Sequence, residues 1–215
     1  VRDAWNDLAN GGDAGRLLAV VFLGTMAFNM QDVLLEPYGG EILGLSVSAT
    51  TLLTAMWAGG ALVGFGIAAR WLAQGIDPYR MCARGILTGV AAFCAVIFSA
   101  PMGSPVLFYI GAALIGVGGG LFGVSTLTAA MTMPTFGAAG RGLARGAWGA
   151  AQATGAGLSI FIGGTIRDLV NHAAGNGTLG EALATPATGY SVVYHTEIGL
   201  LFITLVVLGP LVRVM

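Results

Sequence analysis

The sequence predicts an all-α membrane protein of six transmembrane helices, and three observations carry that prediction. The first is composition. Of 215 residues, 56% are hydrophobic and 9% charged, with a mean hydropathy of +0.83, against about 25% charged in an ordinary soluble domain. The second is run length. The apolar stretches approach the ~20 residues that a helix needs to cross a bilayer core, and they are too continuous for alternating β-barrel strands. The third is glycine. The 36 glycines follow no triplet period, which excludes collagen and suits transmembrane helices in close contact. A formal net charge of −1 leaves no electrostatic footprint for nucleic acid. Cys82 and Cys94 lie on one apolar stretch and read as packed thiols, not as a disulfide framework.

Residues 1–15 are polar, with Asp3, Asp7 and Asp13, and lack the basic start of a signal peptide. The first residue is Val. This segment is expected to be a cytoplasmic linker, and the chain a piece of a longer protein. Residues 16–215 are expected to form one six-helix bundle. The expected spans are Leu17–Leu35, Ser46–Trp71, Met81–Ala100, Val106–Met133, Gly142–Ile166 and Tyr190–Val212. The breaks between them are Pro37-Tyr38-Gly39-Gly40, Asp77-Pro78, the five residues Pro101–Pro105, Pro134, and the polar stretch Asn171–Gly189. A turn as short as Pro101–Pro105 makes its flanking helices antiparallel neighbours.

Arginine orients the bundle. Six spans put both termini on one side, together with Arg2, Arg16, Arg70, Arg80, Arg84, Arg141, Arg145 and Arg213. Arg167 stands alone on the other side. This asymmetry predicts cytoplasmic termini. Two Gly-x-x-x-Arg strings, Gly66–Arg70 and Gly163–Arg167, fall at the ends of the second and fifth spans. Three spans per unit would place the copies on opposite membrane faces. That is the 3+3 inverted repeat of one half of a major-facilitator transporter. Gly66, Arg70, Asp77 and Arg80 also resemble a degraded copy of the basic loop between the second and third helices of that superfamily. There a glycine lets helices touch while Asp and Arg bridge their ends, although ordinary flanking charge explains the same residues.

The string Gln31-Asp32-Val33-Leu34-Leu35-Glu36-Pro37-Tyr38-Gly39-Gly40-Glu41 resembles the signature of PucC/LhaA-type proteins, the bacteriochlorophyll delivery branch of the major facilitator superfamily. Gly24–Met30, Leu53–Trp57 and Gly163–Asp168 fit as well. Members have twelve spans, and this chain resembles their C-terminal six. The resemblance implies a multi-pass protein of the bacterial inner, intracytoplasmic photosynthetic membrane. It implies a role in assembling light-harvesting complexes, with bacteriochlorophyll or a precursor as a transient cofactor. The implied partners are antenna polypeptides, the reaction centre complex, membrane lipid and the N-terminal six-helix half of the same protein.

Several residues are candidates for that work. Asp32 and Glu36 are spaced to share a helix face, and Glu41 completes an acidic cluster on the non-cytoplasmic side. Three readings stay open for the cluster: simple interfacial structure; docking of a partner or bracing against Arg167 and its neighbour Asp168; and ligation of a pigment Mg²⁺, directly or through water. The helix is expected to end before Pro37, which leaves Asp32 near a membrane edge. No carboxylate is expected near the middle of a span. His195 and Glu197 are expected at the start of the last span, beside Tyr190 and Tyr194 of an interfacial aromatic belt. His195 is either an axial ligand for a pigment Mg²⁺ or an interfacial residue satisfied by water, and no other metal site is expected. His172 belongs to the polar loop.

Asn29, Gln31 and Gln152 need hydrogen-bond partners in a membrane. They either line a cavity or brace helix pairs, and bracing suits Gln152 among its small neighbours. Gly60 with Gly64, Gly116 with Gly120, and the rows Gly142-Gly146-Ala150 and Gly149-Ala153-Gly157 are either small-residue packing faces or smooth faces that admit a flat macrocycle. Trp57, Trp71 and Trp148 read as lipid-belt or core residues, with stacking on a pigment as the alternative. The function that these readings favour is a non-enzymatic assembly factor. The alternative is a transporter of a tetrapyrrole or other small solute. An enzyme is disfavoured because no span carries the paired aspartates that prenyl transfer to a chlorophyllide would need.

Overall fold

The computed structural model describes residues 12–133 and 137–212, with side chains for all of these except 137–141. Arg2, Asp3, Asp7, Pro134 and Arg213 lie outside the described residues, as does the side chain of Arg141. All regular structure among the described residues is helical: α1 Asp13–Asn29, a 3₁₀ turn Met30–Val33, α2 Leu35–Glu41, α3 Val47–Ala73, α4 Pro78–Ser99, α5 Pro105–Thr132, α6 Gly137–Gly175, a 3₁₀ turn Glu181–Leu183, α7 Ala187–Leu208 and a 3₁₀ turn Gly209–Leu211. Five segments are long and apolar enough to cross a membrane: Asp13–Glu41, α3, α4, α5 and Ala187–Leu211. α6 is longer than any of them but is not in that set.

Local sequence explains the boundaries. Ser46, Asp77 and Ser104 cap α3, α4 and α5 by accepting from the N–H of Ala49, Arg80 and Leu107. Pro78 and Pro105 occupy the first turns of α4 and α5, where a missing N–H costs nothing. Gly75 takes φ 86° in the turn between α3 and α4.

Two breaks are not where the sequence suggested. Pro37 does not end the first helix. It sits in the first turn of α2, so the chain turns only after Glu41, and the irregularity falls earlier, in the 3₁₀ turn Met30–Val33. The stretch Asn171–Gly189 is also not all loop. α6 runs to Gly175, a length of about 58 Å at 1.5 Å per residue, and α7 starts at Ala187 after Pro186. Asn171 explains its place in a helix, because its Oδ1 accepts from the Gly189 N–H at 3.0 Å and brackets the two helices.

Contacts fix the helix directions. Gly85 and Gly118 approach one another, as do Gly111 and Val96, so α4 and α5 are antiparallel, as the short turn requires. Gly60 lies on Ala113 and Gly64 on Val117, so α3 and α5 run parallel. In both cases an added Cβ would strike a backbone carbonyl, so these glycines are contact points in the sense expected. Gly155 meets Phe22 and Gly163 meets Met30, so α1 and α6 are parallel. α7 runs antiparallel to both: Tyr190 and Tyr194 pack on Tyr38, and Arg167 reaches Tyr190.

Other expected contacts are absent. Gly66 has open space around its Cβ position. The two Gly-x-x-x-Arg strings are therefore not equivalent, since Gly163 is packed. Gly142, Gly146, Gly149 and Gly157 also have open space, because the buried face of α6 is the one carrying Gly155, Ser159 and Gly163. Phe28 lies at the centre of the bundle, its ring against Gly89, Gly118 and Phe122. Asp13–Glu41 is the most buried of the five apolar segments, and α3 the least.

Candidate functional site

The candidate residues fall into three connected groups around the break in the first apolar segment. The first group is a latch at one end of the bundle. Arg167 on α6 donates to Glu41 at 3.3 Å and to the Tyr190 hydroxyl at 2.8 Å, and that hydroxyl donates to Glu41 Oε2 at 2.7 Å. The guanidinium also lies over the Tyr190 ring, 4.8 Å from its centroid. Asp168 adds a second ion pair with Arg167 at 3.2 Å. Three helices, α2, α6 and α7, are joined here. The bracing of the acidic cluster against Arg167 is thus realised at Glu41. Tyr190 is the member that the sequence reading missed, having assigned it to an aromatic belt.

The second group sits deeper. Gln31 Nε2 donates to Asp32 Oδ1 at 2.6 Å and to the Phe28 carbonyl at 3.3 Å. Asp32 and Glu36 share a groove of ≈ 220 Å³ with Gln31, Leu35, Thr54 and Trp57. Glu36 accepts from Thr54 at 2.5 Å, which ties α2 to α3. Because helical structure continues nine residues past Asp32, this carboxylate is about 14 Å from the Glu41 end and not at an edge.

Glu197 is misplaced in the same way by the sequence reading. α7 begins at Ala187, so Glu197 lies about 15 Å along it, near the middle of the helix. It is fully buried, with the Gln31 main chain and Asp32 as its polar neighbours. The signal was present in the sequence: a carboxylate inside an otherwise apolar run is a functional candidate by default.

The third group faces outward. His195 is exposed on α7 and lines a groove of ≈ 650 Å³ with Val170, Leu179, Leu183, Ser191 and Val192. That volume is within the ~300–1,000 Å³ of small-molecule sites. Its Nδ1 is 2.7 Å from the Ser191 carbonyl, an oxygen that can only accept, so Nδ1 is the donor in this contact. His172, by contrast, pairs with Asn176 at 3.0 Å where α6 ends.

Asn29 and Gln152 line a separate cavity of ≈ 250 Å³ with Trp57, Phe28 and the Gly116–Gly120 face of α5, so Gln152 borders a cavity. Asn29 donates to the Thr25 carbonyl at 2.7 Å. Trp148 donates to Thr126 at 3.1 Å, and Arg84 stacks on Trp71. Gly66 and Arg70 lie toward the exposed end of α3, while Asp77 serves as the cap of α4 that its Arg80 N–H completes.

Apolar helices joined by charged and aromatic side chains define the class: a polytopic α-helical membrane protein. The model of the family described as "PUCC protein" matches residues 1–215, and the chain belongs to the PucC family. It is 62% identical over 212 residues to an "Uncharacterized protein in puhA-bchM intergenic region" of Rhodobacter capsulatus, covering 99% of this chain and 44% of that protein. It is 50% identical over 169 residues to "Protein PucC" of Rhodovulum sulfidophilum, covering 79% and 37%. The "Bacteriochlorophyll synthase 44.5 kDa chain" of Rhodobacter capsulatus is 30% identical over 189 residues, covering 85% and 41%. The chain thus spans less than half the length of these relatives. No solved structure matches it.

Proposed function

We propose that the chain is the C-terminal half of a twelve-span, major-facilitator-like factor of the photosynthetic membrane. It delivers bacteriochlorophyll or a precursor to antenna polypeptides as they assemble around the reaction centre. Family membership supports the setting, and so do relatives whose names refer to PucC and to bacteriochlorophyll synthesis. The six-span reading is supported by α6, which runs parallel to α1 and antiparallel to α7 as a sixth crossing would. The position of Arg16, Arg70, Arg80, Arg84 and Arg145 toward one end of these helices favours a cytoplasmic location for that end. No catalytic step is assigned to the chain.

The observation that carries the pigment reading is the contact of His195 Nδ1 with the Ser191 carbonyl at the edge of an apolar groove. A neutral imidazole with its Nδ1–H held by a carbonyl is the usual state of a metal-ligating histidine. The imidazole lines a groove whose walls are mostly apolar. These residues fit a Mg-tetrapyrrole: His195 would hold the metal, while Val170, Leu179, Leu183 and Val192 would cover the ring. The group, when bound, supplies only the cargo. The protein's part is to ligate it on an exposed helix face, from which a neighbouring antenna helix can take it.

Purification of the chain from detergent-solubilised photosynthetic membranes tests this. Far-red pigment absorbance is expected to co-purify, and His195→Phe is expected to remove at least about nine-tenths of it with no change in thermal midpoint. Equal pigment in both proteins refutes ligation by His195. A co-purifying antenna complex without pigment favours a pure chaperone role.

A transporter reading gains from one observation, the mid-helix position of Asp32 and Glu197, because coupled transport uses buried carboxylates. Tetrapyrrole flux into liposomes that is lost in Asp32→Asn would favour it over assembly alone.

A further inference from the structure

Glu197 is fully buried at the middle of α7; the Gln31 main-chain N–H is the donor beside it, and no side chain hydrogen-bonds either carboxylate oxygen. Two other buried oxygens in this layer are unpartnered: Gln31 Oε1 and the Tyr194 hydroxyl. The Gln31 side chain has no donor left to offer, because Nε2 is committed to Asp32 and to the Phe28 carbonyl. The site therefore holds an excess of acceptors over donors. An ionised carboxylate in such a place is among the most unfavourable arrangements that a protein can contain.

We propose that Glu197 is a proton-binding site within the membrane-spanning bundle, and that Asp32 is the relay that exchanges its proton with water. The bound proton adds a donor to a cluster whose only others are the Tyr194 O–H and the Gln31 main-chain N–H, too few for its carboxylate and amide oxygens. The Glu197 O–H then serves an acceptor of the Gln31 layer, and the buried group becomes neutral. Asp32 is exposed in the groove that it shares with Glu36 and Thr54, and it is close enough to Glu197 for its charge to act on that carboxylate.

The exchange balances simply. Asp32 takes one proton from water in the groove and passes it to the Glu197 carboxylate, and Asp32 returns to its anion. The other ionisable groups nearby are hydroxyls. Tyr194 and Tyr190 are on the same helix, and Tyr38 on α2 packs edge-on against Tyr194. From α4 the facing residue is Phe93, stacked on Tyr194. From α6, Arg167 is the charged side chain that reaches α7, where it is engaged with Glu41 and Tyr190 two turns away from Glu197.

The irregular backbone strengthens the case. The segment that carries Gln31 and Asp32 is the 3₁₀ turn, and α7 packs directly on it. Gain or loss of the Glu197 proton thus acts on the point where the first apolar segment departs from α-helical geometry. This inference does not depend on pigment binding.

Infrared spectroscopy of the purified chain in detergent tests it, with no ligand added. At neutral pH the wild-type spectrum is expected to contain a protonated-carboxyl carbonyl band that Glu197→Gln removes. On transfer to D₂O the band is expected to shift, and in Asp32→Asn the shift is expected to slow at least about tenfold, as for loss of a positioned proton donor. Absence of a Glu197-dependent band overturns the proposal. Unchanged exchange in Asp32→Asn overturns the relay. Labelling of the wild-type chain with a hydrophobic carbodiimide, read by mass spectrometry at Glu197, gives a result even where Glu197→Gln fails to fold. Modification at Glu197 is expected, and its absence counts against the protonated site.

Discussion

Two groups of helices in this bundle are held together by different chemistry. α3, α4 and α5 are joined by glycine contacts, with Gly60, Gly64, Gly85, Gly116 and Gly120 pressed against backbone of the neighbouring helix. α1, α2, α6 and α7 also have glycine contacts, at Gly155, Gly163 and Gly189, but add to them side chains that are charged, amide or phenolic: Glu41, Arg167, Tyr190, Gln31, Asp32 and Glu197. In lipid the first solution needs only shape, since the surroundings are as apolar as the contact. The second obliges every polar group to find a partner. A protein that could assemble wholly by the first means and also uses the second has placed its polar groups for another purpose. The glycine-joined group is the scaffold, and the polar group is where function is expected.

Substitutions can break or sharpen that contrast. The largest effect is expected at Gly60. A valine there would drive its Cβ into the Ala113 carbonyl, which belongs to a helix backbone that cannot yield. Gly60→Val should lower stability by about 3 kcal/mol, the upper end of overpacking, read as a fall in thermal midpoint in detergent. Gly66→Val, one and a half turns on and open, should stay within about 0.5 kcal/mol. If the two behave alike, glycine contact is not what holds this group.

Next is Arg167. Its side chain is 27% exposed and Glu41's is 50%, so solvent screening limits the pair. Arg167→Gln should cost about 1 kcal/mol, mostly through the Tyr190 hydrogen bond. Glu41→Gln added to it should cost little more, and a double-mutant cycle measures that coupling. A loss larger than that of Gly60→Val would make the latch, and not the scaffold, the main source of stability.

Trp148→Phe removes one hydrogen bond to Thr126 and should cost about 0.5–1.5 kcal/mol. Thr54→Val, which unties the exposed Glu36, should change stability by no more than a few tenths of a kcal/mol. It should still alter the groove beside Asp32, visible as a changed exchange rate of the Glu197 carboxyl in D₂O.

The glycine-joined group was the more legible in sequence. Proline and capping residues at Ser46, Asp77-Pro78 and Ser104-Pro105 mark its helix ends, and small residues four apart mark its faces. The same rule failed for α6. Gly142, Gly146 and Gly157 have the spacing of a packing row, yet the row that packs is Gly155, Ser159 and Gly163. Spacing says which residues share a face, not which face a neighbour covers. The polar group was legible as a list of residues and not as an arrangement. Pro37 reads as a stop, but in the first turn of α2 it is harmless, and that single misreading moved Asp32 from mid-helix to the edge.

By itself, then, the sequence determined the all-helical class, the apolar segments, the short antiparallel turn and the family. These follow from composition, run length and local stop signals, which act over a few residues. Tertiary structure alone decided that Glu41, Arg167 and Tyr190 form one latch across 126 and 149 residues of chain. It also decided that Glu197 is buried within range of the Asp32 charge and that His195 faces a groove instead. Those outcomes depend on the direction, depth and rotation of each helix against its neighbours. These are set by the fit of whole surfaces, which no single stretch of sequence contains.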